Sequence, residues 1–444
     1  MQAVEVGRRF LNFYQSQGYQ IIPGSSLLDD SVPMSFVMSA GMVQFERLAG
    51  QKRESDHYTL IQNCFRYFDI EQVGNSAYHL SLFQMPAAFD FGPVERPKAV
   101  WQIWQLLTQI YGLAPHALSV TCFGGGKVGM TDIPADEETF QAWISIGLPP
   151  SQIYRLPAPD NFWRQQATNV GVINSRKCGP TTEAFYDRGR DFACGPDCRP
   201  GCSCGRFVEL LNTLFIVLRV DESTDGLIPL EEPFTETVIG LERVAAIQQK
   251  VASVYEIDSL RPLLLQTRLS ECAAILPEAD RQKYERILVD HLRALLFLTA
   301  DGAPPPGRGG RARLMRILTR ELLVSQRLLG ISDPGFLRVL LRMTAETFPH
   351  LQAAQTRTLE YITRERFFFE RTVQRGLRML ENRLRLHPNQ PLSGSEILTM
   401  EKRQGIPFSL LKYYCVRRGL AYDEQGYNMV KTQFEMTNAF EAIG

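Results

Sequence analysis

The chain has 444 residues, 44% of them apolar, with 48 Lys and Arg balanced by 48 Asp and Glu. That size and apolar content suffice for two or three domains around buried cores and exclude a peptide-sized module. Zero net charge removes any bulk-electrostatic argument for nucleic-acid binding; the opening MQAVEVGRRF does not read as a secretory leader, and the best apolar run, from Ala294 to Ala300, is too short to span a bilayer. A soluble, cytoplasmic protein with no membrane partner is expected.

From the N-terminus, Val6, Phe10, Leu11 and Tyr14 recur at helical spacing and predict a helix over 4–17, ended by Gly18 and followed by a strand over 19–23. Short apolar runs such as 118–123 and 207–220, broken by Gly, Pro and polar loops, then continue to about Gly240. They predict a mixed, mainly antiparallel sheet with flanking helices, an α+β arrangement. Beyond Leu241 a 3.6-residue period takes over in 241–254, 281–298, 313–329 and 357–386, so the second half is expected to be mostly helical. Two Gly- and Pro-rich breaks, 302–310 and 387–394, interrupt it, and the second reads as a linker to a small C-terminal piece. Three segments follow: 1–245, 246–386 and 387–444.

Four of the nine cysteines crowd into Cys194-Gly-Pro-Asp-Cys198-Arg-Pro-Gly-Cys202-Ser-Cys204, while Cys64, Cys122, Cys178, Cys272 and Cys415 are dispersed. In a reducing compartment clustered thiolates more often hold a metal than form disulfides. Four soft ligands on a Gly/Pro loop suit a closed tetrahedral Zn2+ site with a structural role, free thiols or a redox pair being the alternatives. Between Pro306 and Arg342 eight arginines (308, 311, 313, 316, 320, 327, 338 and 342) face Glu321 and Asp333, either a phosphate track or a solvated helix face. The run Cys122-Phe-Gly-Gly-Gly-Lys-Val-Gly129 lacks P-loop spacing and reads as a tight turn. The six histidines are scattered and offer no Ser/His/Asp arrangement.

The informative set spans about 200 residues. It comprises Ser39-Ala-Gly-Met42, Gln62-Asn-Cys-Phe-Arg66, Phe83-Gln-Met-Pro-Ala-Ala-Phe-Asp-Phe-Gly92, Asp160-Asn-Phe-Trp163, Cys178-Gly-Pro-Thr-Thr-Glu-Ala-Phe-Tyr-Asp187, Glu209-Leu-Leu-Asn212 and Gly240-Leu-Glu-Arg243. In order and spacing these resemble alanyl-tRNA synthetases, class II aminoacyl-tRNA synthetases, from the N-terminus to about residue 440. The resemblance implies a class II antiparallel sheet in a catalytic segment 1–245, a helical, tRNA-recognition-like segment 246–386, and ATP-dependent formation of an aminoacyl adenylate with Mg2+. One long helical half and a class II core also make a homodimer an expectation.

Adenylate formation brings a carboxylate onto the α-phosphate of ATP, so negative charge must be neutralised. Arg66, on what looks like the motif 2 hairpin, would offer a planar bidentate donor there, a solvated surface arginine being the alternative. Arg243, in what looks like motif 3, would stack on adenine with Gly240 admitting close backbone approach; a helix-start ion pair is the alternative. The resemblance also places Phe83 and Gln84 with ATP, and Met42, Trp163, Asn212, Glu236 and Val238 with the amino acid, whose ammonium needs acceptors. Trp163 is equally compatible with ordinary core.

The chain departs from the family at several of these positions. Thr235-Glu-Thr-Val-Ile-Gly240 matches the family's Val-Asp-Thr-Gly-Met-Gly, so an ammonium-binding Asp becomes Glu236 and a pocket Gly becomes Val238. Such overpacking costs roughly 1–3 kcal/mol per site for an unchanged ligand, so the expected substrate is alanine or a similar small amino acid. A family Glu becomes Gln84, and a following Gly-Asn becomes Ala87-Ala88. The family's Asn and Asp readers of the tRNA acceptor stem align with Gly307 and Lys402. Family members continue beyond the position of residue 444 into an editing domain, so no proofreading is expected of these residues. The acyl acceptor is therefore expected to be a carrier-protein thiol or a small amine, with minimal tRNA charging and a non-catalytic regulatory role as alternatives.

Overall fold

The computed structural model describes residues 1–29, 37–42, 54–165, 176–221, 223–224, 226–271, 276–387 and 390–441. Cys272 and positions 388–389 of the expected linker lie outside them. The chain divides into two compact units, Met1–Pro262 and Leu263–Gly444.

In the first unit, α1 (Ala3–Ser16) buries Val6, Phe10, Phe13 and Tyr14, the apolar stripe anticipated by its spacing, with Phe13 turned inward where Leu11 was expected. The strand after it is shorter than expected: β1 (Gln20–Ile21) pairs in parallel with β2 (His57–Phe65). β3 (Leu82–Phe91) returns antiparallel to β2. Next come α2 (Arg96–Gln105), β4 (Leu118–Phe123) and the small ribbon β5 (Gly126–Val128) with β6 (Thr131–Ile133). The glycine run thus serves as the turn out of β4. α3 (Glu137–Ser145), capped by the Asp136 carboxylate on the Thr139 N–H, leads to β7 (Ile153–Leu156), the single turn α4 (Ala158–Asn161) and β8 (Phe162–Arg164). β9 (Lys177–Asp187), β10 (Phe207–Val220), β11 (Leu227–Ile239) and α5 (Leu241–Gln249) complete the unit. The helix expected to reach 254 stops at Lys250, whose left-handed φ of 55° breaks the hydrogen-bond ladder.

Nine strands form one sheet in the order β1-β2-β3-β11-β10-β9-β4-β7, with β8 added on β9. The central pairs are antiparallel and the outer pairs β1–β2 and β4–β7 are parallel, so the sheet is mixed as expected. Because strand side chains alternate with period two, register alone decides which residues share a face. One cross-strand row runs Leu60, Ala87, Val238, Asn212, Glu183, Thr121; its neighbour runs Tyr58, Phe89, Glu236, Leu214, Thr181. Both rows are apolar at the β2–β3 end and polar toward β9. At the apolar end they join a buried cluster with Met42, Ile216 and Phe234, against which Trp163 and Val238 pack.

The second unit is helical. After α6 (Arg261–Leu269), which straddles the division, come α7 (Glu278–Ala300), α8 (Gly310–Leu328), α9 (Phe336–Thr347) and α10 (Gln355–Leu386). α7 is buried on every side from Ile287 to Thr299, which blurs its amphipathic signal. α11 (Gly394–Gln404), opened by a Ser393/Glu396 capping box, α12 (Phe408–Arg417) and α13 (Glu424–Glu441) follow. Among the described residues no helix is long and apolar enough to cross a membrane.

Candidate active site

A cavity of about 220 Å³ opens on the polar-to-apolar transition of the sheet face. Met42, Arg66, Phe83, Trp163, Asn212, Glu236, Val238, Gly240 and Arg243 all border it, so residues separated by up to 201 positions meet at one place. Gln84 does not border it. Its side chain donates to Asn63 Oδ1 at 3.2 Å, and its backbone N–H donates to both carboxylate oxygens of Glu242 at 3.1 and 3.2 Å. The four clustered cysteines lie elsewhere, in the connection between β9 and β10.

Arg66 leaves the end of β2, stacks its guanidinium 5.1 Å over the Phe83 ring and donates through Nε to the Ser39 carbonyl at 3.3 Å. It is half-buried, which excludes the solvated-surface alternative. Arg243, in the first turn of α5, donates to Glu209 Oε2 at 2.9 Å and to the carbonyls of Glu209 and Tyr78 at 3.3 Å. The ion-pair alternative is therefore present in the structure, and it aims the guanidinium rather than burying it, leaving the side chain 25% exposed. A Cβ at Gly240 would come 3.3 Å from Arg243 Cδ, so the N-cap glycine keeps that side chain's path clear.

Glu236 is only 2% exposed. Burial pushes its carboxyl up to about 8, against the opposing effects of the Met42 N–H, which donates to Oε1 at 3.2 Å, and of the Arg66 charge. Among the described residues it has no salt-bridge partner. Asn212 donates through Nδ2 to Glu183 Oε1 at 2.9 Å, and its Oδ1 is buried without a hydrogen-bond partner. Val238 stands beside Asn212 in the register and opposite Ala87, narrowing the apolar end of the cavity.

Several neighbours had no role in the sequence reading. His79 borders the cavity, bonded to Ser76 Oγ at 2.7 Å, and burial together with the Arg243 charge lowers its basicity. Glu183 is pushed up to about 9 by burial and by the charges of Glu209 and Asp160. Glu183 and Glu209 fall inside quoted motifs, so the signal was present; what one sequence lacks is the strand pairing that sets them against Asn212 and Arg243.

In the cysteine loop the Sγ atoms of Cys194, Cys198 and Cys202 lie within 4.8 Å of one another, and Cys204 Sγ lies 3.5 Å from that of Cys198. The edge of a tetrahedral zinc–thiolate site is about 3.8 Å, given Zn–S bonds of about 2.3 Å. Three converging thiols, with the Cys204 thiol beside that of Cys198, therefore supply a donor set of the kind such an ion takes. The base of the loop is clamped by Arg206, which grips Asp187 bidentately at 2.8 and 2.7 Å.

The model of the family described as tRNA synthetases class II (A) matches residues 5–441. The alanine–tRNA ligase of Myxococcus xanthus (strain DK1622) is 31% identical over 441 residues, covering 95% of this chain and 48% of that protein. That of Dehalococcoides mccartyi (strain ATCC BAA-2266 / KCTC 15142 / 195) is 32% identical over 430 residues, covering 95% and 47%. The chain thus spans about half the length of the curated relatives it matches. Among solved structures, apo histidyl-tRNA synthetase from S. aureus is 13% identical and covers 65% of this chain and 75% of that one, with a TM-score of 0.33, a likeness too loose to carry an argument. With the family's motifs in order along the sequence and its model matched over residues 5–441, the chain belongs to the class II (A) tRNA synthetases.

Proposed function

We propose that this chain activates a small amino acid with ATP, forming an aminoacyl adenylate and releasing pyrophosphate. The observation that carries this reading is the meeting of two guanidiniums, Arg66 and Arg243, with two ammonium acceptors, Asn212 and Glu236, around one cavity. Arg66 holds the α-phosphate and takes up the charge that grows there as the substrate carboxylate attacks. Arg243, steadied by Glu209, presents its flat face to adenine, with Phe83 beneath Arg66 on the other side. The substrate ammonium sits between Asn212 Oδ1 and Glu236, and its charge draws the Glu236 carboxyl back into the ionised form. Trp163 and Val238 close the side-chain end, which restricts the substrate to a short side chain such as that of alanine. ATP comes with Mg2+. Zn2+ would be held by Cys194, Cys198, Cys202 and Cys204, where it ties the β9–β10 connection together.

The test is amino-acid-dependent exchange of labelled pyrophosphate into ATP over a panel of small amino acids, without tRNA. Exchange with one member names the substrate; silence across the panel while ATP still binds supports the non-catalytic alternative instead.

For the acceptor, Gly307 and Lys402 stand where the family's acceptor-stem readers align, which supports transfer to a carrier-protein thiol or a small amine. A second reading, tRNA charging, is favoured by a cavity of about 270 Å³ in the helical unit. Arg308, Arg316, Arg320 and Arg364 border it against the lone carboxylate of Glu365. Arginines 313, 316, 320 and 327 fall on one side of α8 by helical spacing. If a tRNA is the acceptor, its binding weakens steeply between about 50 and 200 mM salt; binding that ignores salt supports the thiol or amine.

A further inference from the structure

Glu183 faces the cavity only through Asn212. It lies on β9 directly between Asn212 of β10 and Thr121 of β4. From one side Asn212 Nδ2 donates to its Oε1 at 2.9 Å; on the other stands Thr121, its register partner on β4. Thr121 Oγ1 in turn accepts from Nδ2 of the fully buried Asn161 at 2.9 Å, and Asn161 Nδ2 also reaches Thr181 Oγ1 at 3.1 Å. Asn161 thus fixes the Thr121 hydroxyl on the β4 side of Glu183, and on the β10 side Glu183 Oε1 accepts from Asn212.

A carboxamide has a donor end and an acceptor end, and its two orientations differ by a half-turn. Glu183 Oε1 is an acceptor in the ionised carboxylate and, with the proton on Oε2, in the neutral acid as well; fixed on one side, it admits only one of the two orientations. We propose that Glu183 is a positioning residue that locks the Asn212 carboxamide with Nδ2 toward β9 and Oδ1 toward the cavity, so that the site offers an acceptor to an incoming ammonium. The inference rests on the amino-acid-binding reading of the cavity. It explains why Asn212 Oδ1 is buried with no hydrogen-bond partner among the described residues: such an atom is costly unless a ligand donor satisfies it. It also explains why a carboxyl sits one strand behind the site without bordering it.

The direct test reads Asn212 without relying on turnover. In protein labelled with 15N at asparagine, the Asn212 side-chain amide is assigned by its loss in Asn212→Asp. Its hydrogen exchange is expected to be slow in the wild type and faster by about tenfold or more in Glu183→Ala. The isosteric Glu183→Gln, which keeps the packing, is expected to raise exchange less, because its Oε1 can still accept from Asn212 while its NH2 permits the flip part of the time. In pyrophosphate exchange the same variants should raise KM for the amino acid by about tenfold or more and leave KM for ATP unchanged. Equal amide exchange in wild type and both variants overturns the proposal, as does a KM rise shared equally by ATP and amino acid, which marks general loosening. A wild type silent in pyrophosphate exchange, with an amide protected only when Glu183 is present, supports the positioning role and sinks the activation reading.

Discussion

Buried carboxyls in the helical unit and those on the sheet face at the cavity are treated in opposite ways. In the helical unit, Glu285 is fully buried and meets Arg268 at 2.8 Å and Arg281 at 3.2 Å; Glu365 meets Arg320 at 2.7 Å. His291, also fully buried, is gripped by Asp290 at 3.0 Å and Glu321 at 2.7 Å. Each of these groups finds its counter-charge within the unit, as a core requires. On the sheet face, Glu236 and Glu183 are held by neutral donors and have no salt-bridge partner among the described residues. A protein tolerates buried carboxyls without cations where a ligand brings the missing charge. Under the proposed function, the contrast separates charges that hold the fold from carboxyls that serve the cavity, Glu236 directly and Glu183 through Asn212.

The sharpest way to break this comparison is Arg66→Ala. If the Arg66 guanidinium stabilises charge growing in the transition state, as proposed, its loss should lower pyrophosphate exchange roughly 100- to 1,000-fold with the melting temperature little changed, and Arg66→Lys should recover only part of it. Exchange within a fewfold of wild type would remove Arg66 from the chemistry.

On the other side of the comparison, His291→Ala should cost about 3 kcal/mol of stability by removing a buried group that bonds two carboxylates and leaving its space empty. Burial alone would push the imidazole down, but the Asp290 and Glu321 hydrogen bonds outweigh it and raise the group to about 9. A raised histidine stabilises fully below its unfolded value of about 6.5, and its contribution fades as pH climbs through about 9. Thermal melts from pH 6 to 10 should show that loss in the wild type and lack it in the variant; parallel curves would refute the assignment.

Glu236→Gln tests the reverse case. The variant should lose amino-acid affinity by about 2 kcal/mol, since a charge-assisted contact becomes neutral. It should also melt higher near pH 8. The folded carboxyl titrates at about 8 and the unfolded one near 4.5, so the folded state binds more protons between these values and wild-type stability falls as pH rises through that window. A variant that is both weaker in binding and less stable would place Glu236 among the structural charges. The smallest effect is expected from Val238→Gly, which should lower KM for amino acids one methylene larger by about tenfold; no change in the order of preferred substrates would show that Val238 does not set the size limit.

Most secondary elements were visible locally. The runs 118–123 and 207–220 are β4 and β10 to the residue, because short apolar stretches bounded by turn residues fit few other structures. β11 was not marked out as a strand: its first half, Leu-Ile-Pro-Leu-Glu-Glu-Pro, carries prolines and charges that hide its alternation. At the site, the motifs gave Arg66, Asn212, Glu236 and Arg243 their candidate roles, since the chemistry of phosphate and ammonium restricts residue type. Glu209 and Glu183 sat in the same motifs without a role, and Gln84 was placed with ATP although its side chain turns to Asn63.

What the sequence determined alone is therefore the family, the helix periods and the residue types that the proposed function needs for phosphate and ammonium, because these depend on local spacing and functional-group chemistry. What only the tertiary structure decided is which of them meet. Asn212 lies 29 positions from Glu183 in the chain and 2.9 Å from it in space; Met42 and Glu236 are 194 positions apart and joined by one hydrogen bond. Such contacts follow from strand order and register, and these are set by burying one whole face of the sheet at once, a property that no single segment carries.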